Sequence, residues 1–403
     1  MRLEKNIEFK TGTIVLPTSK SLSNRALIIR ELAGEFKIQN LSDSDDTQNL
    51  LANLKSSSEI INVRAAGTNM RFLVSLYTVI GNTKTLTGSN RMLQRPIGKL
   101  VDALRSIGAN ISYEKNDGFP PITIHPSKPI GGTVSIDGSE SSQFISSLLM
   151  IAPLLKEGLF IQLENEPVSS SYIRMTVELM KYFGVECEMS SKNISVQSQK
   201  YTPKNYTVEA DWSAAGFWYG LVAASEEGTA INVQNLSLDS IQGDRKTAEY
   251  FQKLGVETIQ LSKGLRIEKT QKANDDLNFN LINEPDLFPA LAFTCATLKL
   301  KVNFTGLQTL NLKESKRIDA VAEELHKVGA ISNFGNDYLN ITGYNNAADK
   351  ISFNTHDDHR IAMAASIYCM SGDPVSIENT EVVTKSYPQF WQALKNIRIA
   401  NIY

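Results

Sequence analysis

The stretch LVDALRSIGANISY, Leu100–Tyr113, joins an amphipathic helical run to a short strand-like run through Gly108. Three other stretches repeat this pattern with glycine at the same place: TVELMKYFGVECEM (176–189), TAEYFQKLGVETIQ (247–260) and AVAEELHKVGAISN (320–333). Glycine fits there because helices often end on a residue with left-handed backbone geometry, which strains other residues. Any α/β protein contains such helix ends, but the near-constant spacing of the four copies favours a duplicated α/β unit.

The length and composition indicate a globular protein large enough for two domains. The chain has 403 residues, of which 42% are apolar and 21% charged. The best candidate boundary is near Asp211, where a strand-like run passes into a new helical run, WSAAGFWYGLVAAS. A net charge of -2 argues against a nucleic-acid binder that works by bulk positive charge.

The cysteines and the apolar runs point to a cytoplasmic protein. The three cysteines are odd in number and far apart, which predicts neither a disulfide framework nor a cysteine zinc site. Unpaired cysteines are most simply explained by a location in a reducing compartment. The N-terminus, MRLEKNIEFK, has no apolar signal region, and no apolar run is long enough to span a membrane.

The stretch LPTSKSLSNRAL, Leu16–Leu27, gathers cations and hydroxyls where a strand-like run enters a helical one. A helix that begins near Ser21 would put Ser21 and Arg25 on one face and an apolar stripe on the other. Lys20 would stand beside the free N–H groups of the helix start, which is a place to hold an anion. The alternative is a plain serine N-cap with solvated cations.

Cations at the entrances of apolar helices recur along the chain. There are eight of them: Lys20, Arg25, Arg71, Arg95, Lys313, Arg317, Arg360 and Lys385. In a chain of net charge -2, their convergence would form a focused anion site. Such a site suits substrates rich in phosphate and carboxylate.

Other polar residues at helix entrances allow two interpretations each. Ser141, Ser142 and Gln143 can cap the following helix or bind a ligand. Asp286 stands before an apolar helix and can be an N-cap or a catalytic carboxylate. The run HDDHR, residues 356–360, makes a metal site conceivable, but no spaced third ligand group accompanies it.

Six motifs in order resemble the 5-enolpyruvylshikimate-3-phosphate synthases, which are the 3-phosphoshikimate 1-carboxyvinyltransferases among the enolpyruvyl transferases. The motifs are S-K-S-x-S-N-R, A-G-T-x-x-R, L-T-G-x-x-R-M-x-x-R-P-I, S-S-Q-F, K-E-S-x-R and D-D-H-R-x-A-M. The resemblance implies a two-domain inside-out α/β barrel, each domain made of three βαβαββ-type units with helices inside and sheets outside. It implies an N-terminal lobe, residues 18–210, on the shikimate 3-phosphate side. The C-terminal lobe would be discontinuous, residues 1–17 and 211–403, with the active site in the cleft between the lobes.

The resemblance also implies the reaction. The enolpyruvyl group of phosphoenolpyruvate moves to the 5-hydroxyl of shikimate 3-phosphate by addition and elimination through a tetrahedral intermediate, and phosphate leaves. This is a step towards chorismate and the aromatic amino acids. It needs no metal or organic cofactor, and the implied partners are the two small-molecule substrates, with no nucleic acid and no membrane. We expect a monomeric cytoplasmic transferase.

The family's site residues transfer onto matching positions of this chain. The catalytic residues implied are Asp286, which takes the 5-hydroxyl proton, Glu314, which protonates the methylene carbon, Lys313 and Lys20, which lie near both substrates. The shikimate 3-phosphate residues implied are Lys20, Ser21, Arg25, Ser141, Ser142, Gln143, Ser169, Tyr172, Asp286, Thr309 and Lys313. The phosphoenolpyruvate residues implied are Lys20, Gly67, Arg95, Gln143, Arg317, Arg360 and Lys385.

Two other functions compete with this interpretation. A sister enzyme with the same fold moves enolpyruvate onto UDP-N-acetylglucosamine, but the SSQF and DDHR motifs fit the shikimate enzyme better. A non-catalytic phosphometabolite-binding relative, or one that processes RNA ends, is the other possibility. Asp286, Lys313 and Glu314 argue for catalysis, and the near-neutral charge argues against RNA. Thr18, Ala65, Phe72 and Thr309 depart from the family's usual residues and affect the expected affinities.

Overall fold

The computed structural model describes residues 1–274 and 277–403. Within them the chain is mixed α/β, with 22 strands in six sheets and twelve α-helices. The helices are α1 (Lys20–Ala33), α2 (Asp45–Leu54), α3 (Gly67–Ile80), α4 (Gly98–Ser106), α5 (Ser142–Ile151), α6 (Ser170–Tyr182), α7 (Trp212–Ala223), α8 (Thr247–Gln252), α9 (Phe288–Thr297), α10 (Arg317–Lys327), α11 (His359–Ala365) and α12 (Phe390–Ile397). None of these described helices is both long enough and apolar enough to cross a membrane.

The chain divides into two compact units. The continuous unit is Lys20–Val208, and the discontinuous unit combines Met1–Ser19 with Glu209–Tyr403. These divisions lie two residues from the predicted lobe bounds, 18–210. The assignment of one lobe to shikimate 3-phosphate stays a prediction.

Three of the sheets belong to the continuous unit. The first has the order β4 (Ile60–Asn62), β5 (Lys84–Thr87), β7 (Ile122–His125) and β6 (Asn110–Tyr113). The second has the order β8 (Gly132–Ile136), β9 (Leu159–Leu163), β11 (Asn193–Val196) and β10 (Glu188–Met189). The third is the pair β3 (Ile38–Gln39) and β12 (Tyr206–Thr207).

The other three sheets belong to the discontinuous unit. The first has the order β2 (Thr11–Val15), β13 (Ala230–Gln234), β15 (Gly264–Lys269) and β14 (Val256–Leu261). The second has the order β16 (Leu277–Asn280), β17 (Val302–Thr305), β19 (Tyr338–Tyr344) and β18 (Ala330–Phe334). The third has the order β20 (Ile351–Phe353), β21 (Val375–Ile377), β1 (Arg2–Lys5) and β22 (Ala400–Ile402).

One topology repeats through the five four-stranded sheets. Each has a parallel pair and two further strands added antiparallel. One α-helix lies between the parallel strands in four of the sheets, whereas the continuous unit and α7 lie between β2 and β13. The order is first, second, fourth, third strand, which is the βαβαββ unit that we predicted. In the sheet of β20 and β21, the fourth strand is β1, so the N-terminus completes a repeat that the C-terminus begins. The predicted fold class is confirmed.

Burial follows the predicted inside-out arrangement within each unit. The first helix of a repeat is buried on nearly all sides: every residue of α9 from Phe288 to Ala296 is buried, and so is all of α11. Strands such as β9 and β17 alternate buried and exposed residues, so one face of each sheet contacts solvent. The polar groups of the candidate site lie at the starts of buried helices of this kind.

The glycines that we predicted at helix ends have the expected geometry. Gly108, Gly184, Gly255 and Gly329 have φ of 103, 82, 82 and 82°, after α4, α6, α8 and α10 respectively. A fifth copy ends α12 with Arg398 in the same left-handed conformation, at φ 61°. The chain therefore repeats this helix end more often than its glycines indicate.

Candidate active site

The predicted site residues form two clusters, one in each unit. The Lys20 cluster lies in the continuous unit and comprises Lys20, Ser21, Arg25, Gly67, Arg95, Ser141, Ser142, Gln143, Ser169 and Tyr172. The Asp286 cluster lies in the discontinuous unit and comprises the predicted residues Asp286, Lys313, Glu314, Arg317, Arg360 and Lys385, together with Asp358, which was not predicted as a site residue.

Helix α1 begins at Lys20, whose side chain pairs with Asp46. The Nζ–Oδ2 distance is 2.9 Å, and Asp46 lies at the start of α2. Asn69 of α3 donates to the Asp46 carbonyl at 2.8 Å and accepts from Asn24 of α1 at 3.1 Å. The first turns of three helices are thus tied together around Lys20.

Arg25 is buried deeper than we predicted. All residues of α1 from Leu22 to Ile29 are buried, so the expected split into a polar and an apolar face is wrong. The guanidinium donates to the Thr176 hydroxyl (2.7 Å), the Ser146 hydroxyl (3.2 Å) and the Ser21 carbonyl (3.0 Å). Burial lowers the pKa of Arg25 to about 10, against a smaller opposite effect of Tyr172. A buried cation held mainly by neutral groups is an attractive anion partner.

Gly67 and Arg95 touch. A Cβ on Gly67 would lie within 2.7 Å of Arg95 Cζ, so only glycine leaves room for this guanidinium over the start of α3. Arg95 is 7% exposed. Arg71 supports this arrangement by donating to the carbonyls of Pro96 (2.8 Å) and Gly67 (3.3 Å). These contacts give Arg71, one of the eight predicted cations, a structural role.

The start of α5 combines a cap with a polar link. The Ser141 side chain is the N-cap and accepts from the Gln143 N–H at 3.3 Å, so the capping interpretation is correct for Ser141. Ser142, the first helical residue, is buried. Gln143 donates through Nε2 to Thr68 Oγ1 at 3.2 Å, which links α5 to α3.

Ser169 and Tyr172 mark the start of α6. Ser169 has φ 53° and ψ 39°, a left-handed conformation that is uncommon for serine, and its side chain does not cap the helix. Its carbonyl accepts from the Tyr172 N–H at 3.0 Å. The Tyr172 carbonyl accepts from Thr176 at 2.8 Å and from Arg25 at 3.4 Å. Helix α6 therefore contacts the buried guanidinium from one side.

Asp286 is surrounded by three cations. It lies in a 3-10 turn, Pro285–Leu287, and caps no helix, because the N-cap of α9 is Leu287 without a side-chain bond. Its carboxylate is 2.8 Å from Arg360, 3.1 Å from Arg317 and 3.5 Å from Lys313. The capping alternative for Asp286 is wrong.

These cations set the ionisation of Asp286. Burial raises the pKa of the carboxyl, but Arg360, Lys313 and Arg317 outweigh burial and hold the pKa well below its usual range. Glu314 raises it slightly. Asp286 is therefore a carboxylate at neutral pH.

Arg317 joins three carboxylates. It is 1% exposed and donates to Asp358 from Nε (2.8 Å) and Nη2 (3.2 Å), to Glu314 (2.8 Å) and to Asp286 (3.1 Å). Burial lowers the pKa of Arg317, but the three carboxylates together raise it above its ordinary value. Glu314 also pairs with Lys385 at 3.0 Å. Four cations and three carboxylates thus form one network.

The HDDHR run does not form a metal site by itself. Asp358 caps α11 and pairs with Arg317, Asp357 accepts from Asn379 at 2.7 Å, and His356 contacts Glu324 at 2.8 Å. Among the described residues, His356 comes together with Glu323 and Glu324 as a group of possible metal ligands. Glu324 is fully buried and also accepts from Lys327, so these contacts hold the loop onto α10.

Thr309 lies at the edge of the Asp286 cluster. It is 7% exposed and precedes the 3-10 turn Leu310–Leu312, which leads into Lys313. In the same turn, Asn311 accepts from the Ile318 N–H and donates to Asp319. Asn311 therefore fixes the turn to the start of α10.

Sequence reasoning missed or misassigned three carboxylates: Asp46, Asp358 and Asp244. Asp46 and Asp358 each pair with a predicted cation. Asp244 is 3% exposed and accepts from the Ser213 hydroxyl. The signal available was an aspartate in or just before a helix start, which a cap explains equally well.

Comparisons with known proteins identify the family to which this chain is similar. The family model described as EPSP synthase (3-phosphoshikimate 1-carboxyvinyltransferase) matches residues 51–394. A Bacteroides fragilis protein named 3-phosphoshikimate 1-carboxyvinyltransferase is 42% identical over 95% of this chain and 94% of its own length. A Shewanella pealeana protein of the same name is 36% identical over 98% and 99% of the two chains.

The fold comparison points the same way. A solved structure of EPSP synthase from Acinetobacter baumannii covers 100% of both chains with a TM-score of 0.77, at 20% identity. At that identity the likeness is one of fold. The family match and the curated relatives show that this chain belongs to the EPSP synthase (3-phosphoshikimate 1-carboxyvinyltransferase) family.

Proposed function

We propose that the chain transfers the enolpyruvyl group of phosphoenolpyruvate to the 5-hydroxyl of shikimate 3-phosphate and releases phosphate. Besides family membership, one observation carries this proposal: the Asp286 carboxylate is 14% exposed, is ionised, and is surrounded by Arg360, Arg317 and Lys313. A base among cations suits a reaction in which a hydroxyl loses its proton beside phosphate and carboxylate groups.

Shikimate 3-phosphate binds mainly to the Lys20 cluster. Arg25 supports this, because its buried charge has neutral partners that leave it attractive to an anion. The other groups assigned to this substrate by family resemblance are Lys20, Ser21, Ser141, Ser142, Gln143, Ser169, Tyr172, Asp286, Thr309 and Lys313. The left-handed conformation of Ser169 is further support, since strained backbone is common at functional sites.

Phosphoenolpyruvate is held by guanidinium and ammonium groups. By resemblance these are Lys20, Arg95, Arg317, Arg360 and Lys385, together with Gly67 and Gln143. The support from the structure is the close approach of Arg95 to Gly67 and the single network that joins Arg317, Arg360 and Lys385. Guanidinium forks suit phosphate and carboxylate because they donate two parallel hydrogen bonds.

The chemistry assigns one proton transfer to each carboxylate. Asp286 accepts the 5-hydroxyl proton as the oxygen bonds to C2 of phosphoenolpyruvate, while Glu314 gives a proton to C3. In the elimination step, phosphate leaves from C2 with the proton that Asp286 had accepted, and Glu314 takes a proton back from C3, which restores the double bond. Lys20 and Lys313 stabilise the charge that moves during both steps.

The ion pairs explain why the carboxylates would act only with substrate bound. Arg360, Lys313 and Arg317 hold Asp286 as a weak base. Glu314 forms ion pairs with Arg317 and Lys385. Anionic groups of phosphoenolpyruvate compete for the same cations. Binding therefore makes Asp286 more basic and weakens the ion pairs of Glu314.

The test is phosphate release from phosphoenolpyruvate with shikimate 3-phosphate or with UDP-N-acetylglucosamine as acceptor. We expect phosphate release from phosphoenolpyruvate with shikimate 3-phosphate and none with UDP-N-acetylglucosamine. Asp286→Asn prepared in parallel should release phosphate about 10²–10⁴-fold more slowly, which controls for contaminating phosphatase. Release with the amino sugar, or with neither acceptor, would refute the proposal.

We also propose a cytoplasmic, monomeric enzyme. Cys187, Cys295 and Cys369 are all free thiols, which suits a reducing compartment. Sedimentation at several protein concentrations tests the monomer.

A further inference from the structure

The loop that precedes α11 has an uncommon backbone conformation. His356 and Asp357 are consecutive and both left-handed, with φ of 50° and 53°. This conformation strains residues that carry a Cβ, and it persists only where neighbouring groups hold it. The loop lies between β20 and α11, and it leads directly into Asp358 and Arg360 of the Asp286 cluster. The groups that hold this loop therefore bear on the site.

On one side the loop is held by Glu324 of α10. This side chain is 0% exposed, and its Oε1 lies 2.8 Å from His356 Nε2. Its Oε2 accepts from the Asn354 N–H at 3.0 Å and from Lys327 Nζ at 2.7 Å. The Asn354 side chain in turn accepts from the His356 N–H at 2.7 Å. One buried carboxylate thus fixes both the start of the loop and its first left-handed residue.

On the other side the loop is held by Asn379. Its Nδ2 donates to Asp357 Oδ1 at 2.7 Å. Asn379 is the N-cap of the 3-10 helix Thr380–Lys385, and α10 begins at Arg317. The two segments that anchor the loop therefore also carry Lys385 and Arg317 of the candidate site.

The loop sets the direction in which α11 starts. The Asp358 N–H donates to the Thr355 carbonyl at 2.8 Å, which closes the turn. Asp358 then caps α11 by accepting from the Arg360 N–H at 3.0 Å, and it also accepts from Arg317 at 2.8 Å. The Arg360 guanidinium lies 2.8 Å from the Asp286 carboxylate. A displaced loop would carry Asp358 and Arg360 away from these partners.

We propose that Glu324 is a positioning residue of the phosphoenolpyruvate site, which acts by holding the loop that orients Arg360. Its carboxylate is fully buried against the loop, so it acts on the substrate only through Arg360. This inference rests on the proposed function, because it assumes that Arg360 binds phosphoenolpyruvate. The alternative is a carboxylate that only stabilises the fold.

The first test compares Glu324→Gln with Glu323→Gln. Glutamine keeps the shape of glutamate, but its NH2 group cannot accept hydrogen bonds from the groups that Glu324 holds. Glu323 is the exposed neighbour on α10, so its variant controls for the loss of one charge. In Glu324→Gln, KM for phosphoenolpyruvate should rise about 5–30-fold, and the affinity for shikimate 3-phosphate should change less than about twofold. Steady-state kinetics measures KM, and calorimetry measures the affinity.

A purely structural role of Glu324 gives a different result. Loss of folded enzyme lowers kcat and leaves KM for both substrates unchanged, because the remaining molecules are normal. An equal KM for phosphoenolpyruvate in Glu324→Gln and wild type overturns the proposal. A rise in Glu323→Gln as large as that in Glu324→Gln also overturns it.

Arg360→Met provides the second test, because it removes the residue through which Glu324 acts. In this background, Glu324→Gln should raise KM for phosphoenolpyruvate by less than about a further twofold. A further rise of about 5–30-fold would show that the two residues act independently, which overturns the proposal.

His356→Phe keeps the proposal testable if Glu324→Gln does not fold. The His356 side chain is 20% exposed, and phenylalanine keeps a ring there but removes the nitrogen that contacts Glu324. KM for phosphoenolpyruvate should rise at least about threefold, less than in Glu324→Gln because the Asn354 contact remains. An unchanged KM overturns the proposal.

A measurement without substrate separates this inference from the proposed function. Amide hydrogen exchange over residues 354–360 reports on the loop, because the N–H groups of Asp358 and Arg360 are hydrogen-bonded within it. Exchange should be at least about fivefold faster in Glu324→Gln than in wild type, and unchanged in Glu323→Gln. With an active wild type, unchanged exchange in Glu324→Gln refutes the role of Glu324 alone. A wild type that releases no phosphate refutes the proposed function, and with it the effect on substrate, whatever the exchange rates.

Discussion

Arg25 in the continuous unit and Arg317 in the discontinuous unit are both buried guanidinium groups, with opposite surroundings. Arg25 donates to hydroxyls and carbonyls, and no carboxylate among the described residues forms an ion pair with it. Arg317 makes four hydrogen bonds to three carboxylates. Burial lowers the pKa of Arg25 to about 10, whereas the carboxylates raise the pKa of Arg317 above its usual value.

The charge of Arg25 is therefore available to an anionic ligand, whereas the charge of Arg317 is already neutralised by carboxylates of the protein. An anion that reaches Arg25 gains a partner without displacing a carboxylate. An anion that reaches Arg317 must share it with Asp286, Glu314 and Asp358. Loss of Arg25 should therefore affect binding more than stability. Loss of Arg317 should affect stability strongly, because it leaves the buried Asp358 carboxylate without this guanidinium, beside the half-buried carboxylates of Asp286 and Glu314.

The largest expected effect is at Asp286, which links the cations of the discontinuous unit. Asp286→Asn should lower turnover about 10²–10⁴-fold, because an amide cannot accept the hydroxyl proton. Steady-state phosphate release measures this. Phosphoenolpyruvate binding should be retained, since three cations lose a competing carboxylate. A variant with more than about a tenth of wild-type turnover would contradict the role of Asp286 as base.

Arg317→Met tests the guanidinium that is neutralised by carboxylates of the protein. We expect a loss of about 3–5 kcal/mol in the free energy of unfolding, because Asp358, Asp286 and Glu314 lose their shared cation. Chemical denaturation in the absence of substrates measures it. A loss below about 1 kcal/mol would show that the carboxylates find other partners, and the contrast with Arg25 would fail.

Arg25→Met tests the guanidinium that we expect an anionic ligand to neutralise. Affinity for shikimate 3-phosphate should fall roughly 10–150-fold, the equivalent of one charge-assisted contact. The unfolding free energy should fall less than in Arg317→Met, since no buried carboxylate loses a partner. Calorimetry and denaturation measure the two effects. Arg30→Met, on the same helix but outside the cluster, is the control and should bind normally; equal affinity losses would refute the assignment.

The smallest effect is expected at an exposed ion pair of the discontinuous unit. Lys10 and Glu226 lie 2.9 Å apart, but their side chains are 59% and 60% exposed. Lys10→Ala should change the free energy of unfolding by no more than about 0.5 kcal/mol, because water screens the pair. Denaturation at low salt is the check. A loss near that of Arg317→Met would show that burial is not what distinguishes these ion pairs.

The repeated helix end was predictable only where glycine marks it. Gly108, Gly184, Gly255 and Gly329 identify four copies because glycine adopts the left-handed conformation without strain. Arg398 takes that conformation after α12, and no local signal in the sequence reveals it. The membership of β1 in the sheet of β21 and β22 is likewise set by pairing across the whole chain.

The cations of the site were predictable, but their partners were not. A cation at a helix entrance is visible in the sequence, and Lys20, Arg317 and Arg360 all lie at helix starts. Asp358 caps α11 and also pairs with Arg317, and only the first role has a local signature. Which carboxylate meets which cation depends on how the repeats pack, and Asp244 was missed for the same reason.

The position of β1 has a consequence for how the protein is made. Its partners are Val375–Ile377 and Ala400–Ile402, which the ribosome adds long after β1. At about 5–20 residues per second, β1 waits about 20–75 s for them. All the sheets of the continuous unit, Lys20–Val208, find their partners within that unit, so it can fold during synthesis. Strand β1 is thus synthesised long before its two partner strands, and its unpaired edge is open to chaperones during that interval.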